Sequence, residues 1–181
     1  MPRYVAFLRG INLGRRRPPM TELKALFEAL GFGHVATFIA SGNVVFETRA
    51  ADTAILEQRI EKHLAESLGY AVDTFVRRDI EVVAVQKFPA FAEGLSDGGA
   101  IYVTFLKERL SAASAKRLIA CRTEVDEFCV VGREIYWLCR IKSSDSKVWT
   151  SPEMRALKLP TGTMRNLTSI NKLVAKHLTA R

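Results

Sequence analysis

The chain has 181 residues, enough for one large domain or two small ones with a core that needs no covalent staples. Apolar residues make up 48% and charged residues 25%, too apolar a balance for a disordered chain. Cys121, Cys129 and Cys139 are an odd number without C-x-x-C spacing, which argues against a disulfide framework and an all-cysteine zinc site. No apolar run is long enough for a signal-peptide core or a membrane span, so the expectation is a soluble, cytoplasmic, basic protein that makes no membrane contact.

Lys and Arg outnumber Asp and Glu by 27 to 19, and the excess is uneven. From Arg140 to Arg181, nine basic residues face only Asp145 and Glu153, while the preceding residues are nearly balanced. Arg15-Arg16-Arg17 is the one basic cluster elsewhere. Such a distribution attracts phosphate-bearing partners, and it equally serves solubility on a solvated face.

Arg3 to Arg9 reads as a strand, followed by a loop rich in Gly, Arg and Pro over 10–19. Leu23, Leu26, Phe27 and Leu30 then mark one face of a helix that Gly31 stops. Val35 to Ala40 and Val44 to Glu47 are short strands flanking Ser41-Gly42-Asn43, a hairpin signal. Asp52 or Thr53 opens a second helix with Leu56, Ile60, Leu64 and Leu68 inward and Gly69 at its close. Val72 to Arg77 returns as a strand. The order β-α-β-β-α-β is that of the ferredoxin-like plait, in which right-handed crossovers put both helices on one face of a four-stranded antiparallel sheet.

Asp79 to Lys87 reads as a connecting helix and 89–99, with Pro89, Gly94, Gly98 and Gly99, as a linker. The pattern then restarts. Ala100 to Lys107 is a strand, Ser111 caps a helix with Leu118 and Ile119, and 125–131 and 134–140 form a hairpin across Gly132-Arg133. A short helix from Pro152 and a longer one from about Thr163 follow. The fold class expected is therefore α+β: two ferredoxin-like (α/β-plait) subdomains in tandem over 1–88 and 100–181. In the second, the last strand is missing or replaced and the C-terminal end is helical. The halves share an order of elements, with no sequence identity to mark a duplication.

L-R-G-I-N-L-G at Leu8 to Gly14, P-M-T-E-L at Pro19 to Leu23 and S-G-N-V-V-F at Ser41 to Phe46 resemble the bacterial domain of unknown function 1697 family. Ser146-Lys147 and Thr163-Met164-Arg165-Asn166 resemble that family's S-K and T-x-R-N signatures. The resemblance implies two α/β-plait subdomains and no defined activity. Arg15 stands where the family usually has a second glycine, in a shorter loop, and Leu167 where it commonly has Trp.

Three places carry candidate chemistry. The loop from Gly10 to Gly14 sits between a strand and a helix, where backbone N–H groups can cradle an anion beside Arg9, Asn12 and Arg15. It lacks the spacing of a Walker A loop and of a dinucleotide fingerprint, and a plain tight turn accounts for the glycines equally well. Ser41 and Asn43 belong to a hairpin. Thr163 is read as capping the last helix, so that Arg165 and Asn166 make an anion site at its N-terminus, with Lys147 as a second basic arm.

His34, His63 and His177 are isolated and propose no metal site, and the carboxylates offer no acid–base pair. Cys129 and Cys139 lie on paired strands, but a two-residue turn opposes Cys129 to Tyr136. Nothing names a cofactor, a catalytic residue or an oligomeric state. The reading that follows is a binding protein for a phosphorylated or carboxylated small molecule, held between the first βα loop and the C-terminal helix. The alternative is a nucleic-acid-binding module using the basic C-terminal face and the Arg15–Arg17 loop.

Overall fold

The computed structural model describes all residues except 13, 15, 16, 40, 41, 92–97 and 179–181. It is a mixed α+β structure with two four-stranded antiparallel sheets, ordered β2-β3-β1-β4 and β6-β7-β5-β8. The first is built from β1 (Arg3–Arg9), β2 (Gly33–Phe38), β3 (Asn43–Glu47) and β4 (Asp73–Arg78), with α1 (Met20–Ala29), α2 (Thr53–Leu68) and α3 (Asp79–Lys87). The second has β5 (Ala100–Leu106), β6 (Asp126–Val131), β7 (Glu134–Cys139) and β8 (Gly162–Asn166), with α4 (Ala112–Ala120), α5 (Pro152–Ala156) and α6 (Leu167–Leu173).

Local sequence signals explain most boundaries. Asp52 caps α2 by accepting from the amides of Ala54 and Ile55, and Gly69 ends it in the left-handed conformation at φ 76°. Ser111 caps α4 through the amide of Ser114. One core lies between the first sheet and its helices: Tyr4, Ala6, Leu8, Val44 and Phe46 pack on Leu23, Phe27, Leu56, Ile60 and Leu64. The second core joins Leu106, Ile135, Trp137 and Cys139 to Leu118, Val148 and Met154.

The outer edge of β4 is closed by carboxylates. Glu61 accepts from the amide of Thr74 at 2.8 Å, Glu57 from Val76 at 2.8 Å and Glu81 from Arg78 at 2.7 Å. Alternate amides of an edge strand, which would otherwise invite another chain, are thereby satisfied from within.

Three expectations are corrected. The second unit does not lose its last strand: Gly162–Asn166 is β8, paired antiparallel with β5, and the final helix starts only at Leu167. Glycine at 162 is what admits it. A Cβ there would lie 2.6 Å from Thr104 Cγ2 and 2.9 Å from the Phe105 carbonyl oxygen.

The halves also share sequence once register is known. Tyr4-Val5-Ala6-Phe7-Leu8 and Tyr102-Val103-Thr104-Phe105-Leu106 differ only at the central residue. They occupy equivalent places, Val5 opposite Arg77 of β4 and Val103 opposite Arg165 of β8.

Finally, the chain divides into Met1–Gln86 with Leu173–Arg181, and Lys87–Lys172, so the C-terminal segment belongs with the first unit and not with a domain ending the chain. It is held there by Arg3 Nη1, which donates to the His177 carbonyl at 2.6 Å, and by the edge-to-face contact of His177 with Phe38.

Replacing Gly162 by Ala forces β8 away from β5 and should cost about 1–3 kcal/mol. Equilibrium urea unfolding checks this; a loss under about 0.5 kcal/mol would mean that β8 yields without strain.

Candidate functional site

In the first unit, two of the sequence motifs meet beyond the end of β1. Gly10 (φ 80°) and Gly14 (φ 59°) turn the loop, and Gly42 (φ 74°) turns the β2–β3 connection beside it. The amide of Leu8 donates to the Gly42 carbonyl at 2.8 Å. A Cβ on Gly42 would lie 2.7 Å from Ile11 Cγ2, so the two turns touch through a position where only glycine fits. Ile11 anchors the loop in the core, and its carbonyl accepts from the Tyr70 hydroxyl at 3.1 Å.

Around this base, Asn12, Gly14 and Arg17 are exposed. Arg9 ends β1 opposite Asp73 and forms an exposed ion pair with it at 3.3 Å. Asn43 is not a turn residue but the first residue of β3; it is buried, and its side-chain amide donates to the Phe38 carbonyl, closing the turn. Arg15 and Ser41 lie outside the described residues.

The second unit holds the remaining candidates, and most have structural duties. Thr163 caps no helix, because it and Arg165 are in β8, both on its buried side. Arg165 is 8% exposed, with Nη1 donating to Thr163 Oγ1 at 2.7 Å and to the Met164 carbonyl at 2.9 Å. Burial draws its pKa down to about 10, so the guanidinium stays charged at neutral pH. Asn166 is the residue that caps α6, accepting from the amide of Thr168 at 2.8 Å. The helix N-terminus therefore begins two residues beyond Arg165, and its cap is Asn166.

Ser146 and Lys147 part ways, as adjacent residues commonly do. Lys147 is exposed. The Ser146 hydroxyl donates to Asp126 Oδ1 at 2.9 Å and accepts from the amide of Val148. At the centre is Asp126, which in the sequence offers, with Glu127, no recognisable carboxylate pair. It is 1% exposed, and it also accepts from Trp137 Nε1 at 2.9 Å and from Thr123 Oγ1 at 2.8 Å. An acid in register with Phe128 on the apolar face of β6 was the available signal. A cleft of about 470 Å³ opens here, lined by Cys121, Arg122, Val125, Asp126, Ser146 and Lys147 among others. Engaged by the neutral donors Ser146, Trp137 and Thr123, Asp126 ties the 143–147 loop to the sheet.

The cysteines are free thiols, and Cys129 opposes Tyr136 in the β6–β7 ladder, as the turn length requires. Burial raises the pKa of all three above the usual thiol value, which suppresses the nucleophilic thiolate. Among the described residues no group of three or more His, Cys, Asp or Glu is arranged to hold a metal ion, and no helix is long and apolar enough to cross a membrane.

Fold and site together define a mixed α+β protein with two four-stranded antiparallel sheets and a glycine-turned loop at the end of its first strand. The chain belongs to the family described as protein of unknown function DUF1697, whose model matches residues 1–136. That span holds the L-R-G-I-N-L-G and S-G-N motifs and stops before Ser146-Lys147 and the 163–166 segment. No curated protein matches. The structure of conserved bacterial protein SP0830 from Streptococcus pneumoniae is similar over 96% of each chain, with a TM-score of 0.72 and 22% identity, a likeness in fold alone.

Removing the Asp126 side chain leaves the Trp137 indole N–H buried and unpaired. Asp126→Ala should therefore cost roughly 2–4 kcal/mol and Ser146→Ala no more than about 1.5 kcal/mol. Urea unfolding followed by tryptophan fluorescence measures both, and equal losses would remove Asp126 from the centre of the network.

Proposed function

We propose that this protein binds a small anionic molecule, bearing phosphate or carboxylate, at the loop leaving β1. The observation that carries the reading is the contact between the two glycine turns, 10–14 and 42, at the end of a strand with no give of its own. Left-handed glycines at 10, 14 and 42 leave these turns without Cβ atoms, which lets an anion come close to the backbone N–H groups. Arg9 and Arg17 stand exposed beside it, and Arg15 and Arg16 follow Gly14 in sequence. Arg165 and Asn166, engaged in β8 and in the α6 cap, are left out of the site, and so is the buried Asn43.

The same reading takes the two sheets as ferredoxin-like plaits in tandem. The strand orders β2-β3-β1-β4 and β6-β7-β5-β8, each with helices after its first and third strands, support it. Three thiols left free suit a reducing compartment, from which we infer a cytoplasmic protein.

Nucleic acid is the second reading, favoured by the exposure of Lys142, Lys147, Arg155, Lys158 and Lys172. It has no support from base stacking on the first sheet, because Tyr4, Phe7 and Phe46 are all buried.

A thermal-shift screen of nucleotides, phosphosugars, organic acids and oligonucleotides at two salt concentrations separates these readings. A small molecule at 100 times its Kd should stabilise the wild type by roughly 2.7 kcal/mol. Arg9→Ala, which breaks only an exposed ion pair worth under about 1 kcal/mol, should abolish that shift and leave the unliganded melting point nearly unchanged. A shift that survives in Arg9→Ala sinks the loop site. An oligonucleotide shift lost at the higher salt would transfer the function to the lysines of the second unit.

A further inference from the structure

The sheets have four edge strands, and three are blunted by identifiable devices. On β4 the carboxylates of Glu57, Glu61 and Glu81 take the outward amides. Strand β2 carries a register shift between Gly33 and Ala36, with His34 forced to φ 48°. Strand β8 has only five residues and runs directly into α6. The fourth, β6, is straight: its ladder with β7 runs without a shift from Asp126 to Val131. Residues 128–131, Phe-Cys-Val-Val, contain no charge, proline or glycine, and Val131 is 39% exposed. Proteins rarely leave such an edge unguarded unless it is to be paired.

The two-residue turn at Gly132-Arg133 fixes which groups face outward. Val131 and Glu134 close the hairpin as a hydrogen-bonded pair, so alternation directs Val131, Cys129 and Glu127 into β7 and Val130, Phe128 and Asp126 outward. Asp126 is already satisfied, its amide donating to Thr123 Oγ1 at 3.0 Å and its carbonyl accepting from the Thr123 amide at 2.9 Å. That leaves Phe128 and Val130. Among the described residues their outward amides and carbonyls meet no hydrogen-bond partner other than the Cys129 thiol, which lies beside the Val130 amide.

We infer that β6 is the self-association edge of this protein, pairing antiparallel with β6 of a second copy about a two-fold axis through Cys129. The occupant follows from the pattern of the edge itself. Two open residues separated by one inward residue are self-complementary under a two-fold: Phe128 opposes Val130 of the second copy, and Val130 opposes its Phe128. Four backbone hydrogen bonds form, and two four-stranded sheets become one of eight strands. Centring on Phe128 would need the groups of Asp126 that Thr123 occupies. In the favoured register the two Cys129 side chains are directly opposed, with Cβ atoms about 5 Å apart. Glu127 lies opposite Val131 of the second copy, with Arg133 of that copy on its diagonal.

This register makes a charge-specific test possible at Val131, which is half out in solvent. Sedimentation velocity over about 1–100 µM should show a reversible dimer for the wild type. Val131→Glu puts a carboxylate opposite Glu127 twice per dimer and should weaken association on the order of tenfold. Val131→Lys loses the same apolar surface yet should associate at least as well as wild type, which also controls for folding. A wild type that stays monomeric across the range overturns the inference, as does a dimer equally tight in the Glu and Lys variants.

Discussion

Each sheet is organised by a first strand that has no solvent face. Tyr4, Ala6 and Leu8 enter the core beneath the helices while Val5 and Phe7, pointing the other way, are just as fully buried. Strand β5 follows it in part: Val103, Phe105 and Leu106 are buried, while Tyr102 and Thr104 are half-buried. A strand apolar on both sides gets no register from its own pattern, since a slip of one residue would bury its side chains equally well, and only its neighbours can fix it. Those neighbours do so with hard constraints: a glycine where β8 crosses Thr104, a glycine where the Gly42 turn meets Ile11, and a large cation opposite each central valine. Arg77 and Arg165 sit at matching positions on the two fourth strands, and both are buried.

That arrangement explains which parts of the structure can be read from the chain. The order β-α-β-β-α-β of the first unit follows directly from amphipathic spacing and caps, because α2 shows Leu56, Ile60 and Leu64 on one side and has Asp52 and Gly69 at its ends. Strand β8 carries no such pattern. Its buried positions are Thr163 and Arg165, its apolar residue is Met164, and it opens on glycine, so its composition reads as a turn followed by a helix start. Tertiary pairing with β5 overrides local preference there. The kinship of 4–8 and 102–106, four identical residues in five, is a short match between different flanks, and the shared opposition of valine to arginine gives it structural meaning.

The candidate site was legible to a different degree in each unit. Glycine spacing and the adjacent arginines located the β1 loop, since conformational freedom and charge are both written in residue identity. What no spacing could give is that Ser146 is committed to Asp126 and Arg165 to its own strand, because a hydrogen-bond partner from another element leaves no local trace. Basic residues near the C-terminus looked alike as a group; burial separates Arg165 from the exposed Lys142, Lys147 and Lys158. Net charge is a property of composition, and available charge is a property of packing.

The carboxylates along β4 have a further consequence for the order in which the molecule is made. Glu57 and Glu61 lie on α2, which precedes β4 in the chain, and Glu81 follows it by three residues. During synthesis from the N-terminus, the helix that guards the edge is therefore complete before the edge exists. The acceptors for the Thr74 and Val76 amides are thus synthesised before the amides themselves, so the edge strand can be capped as soon as it pairs.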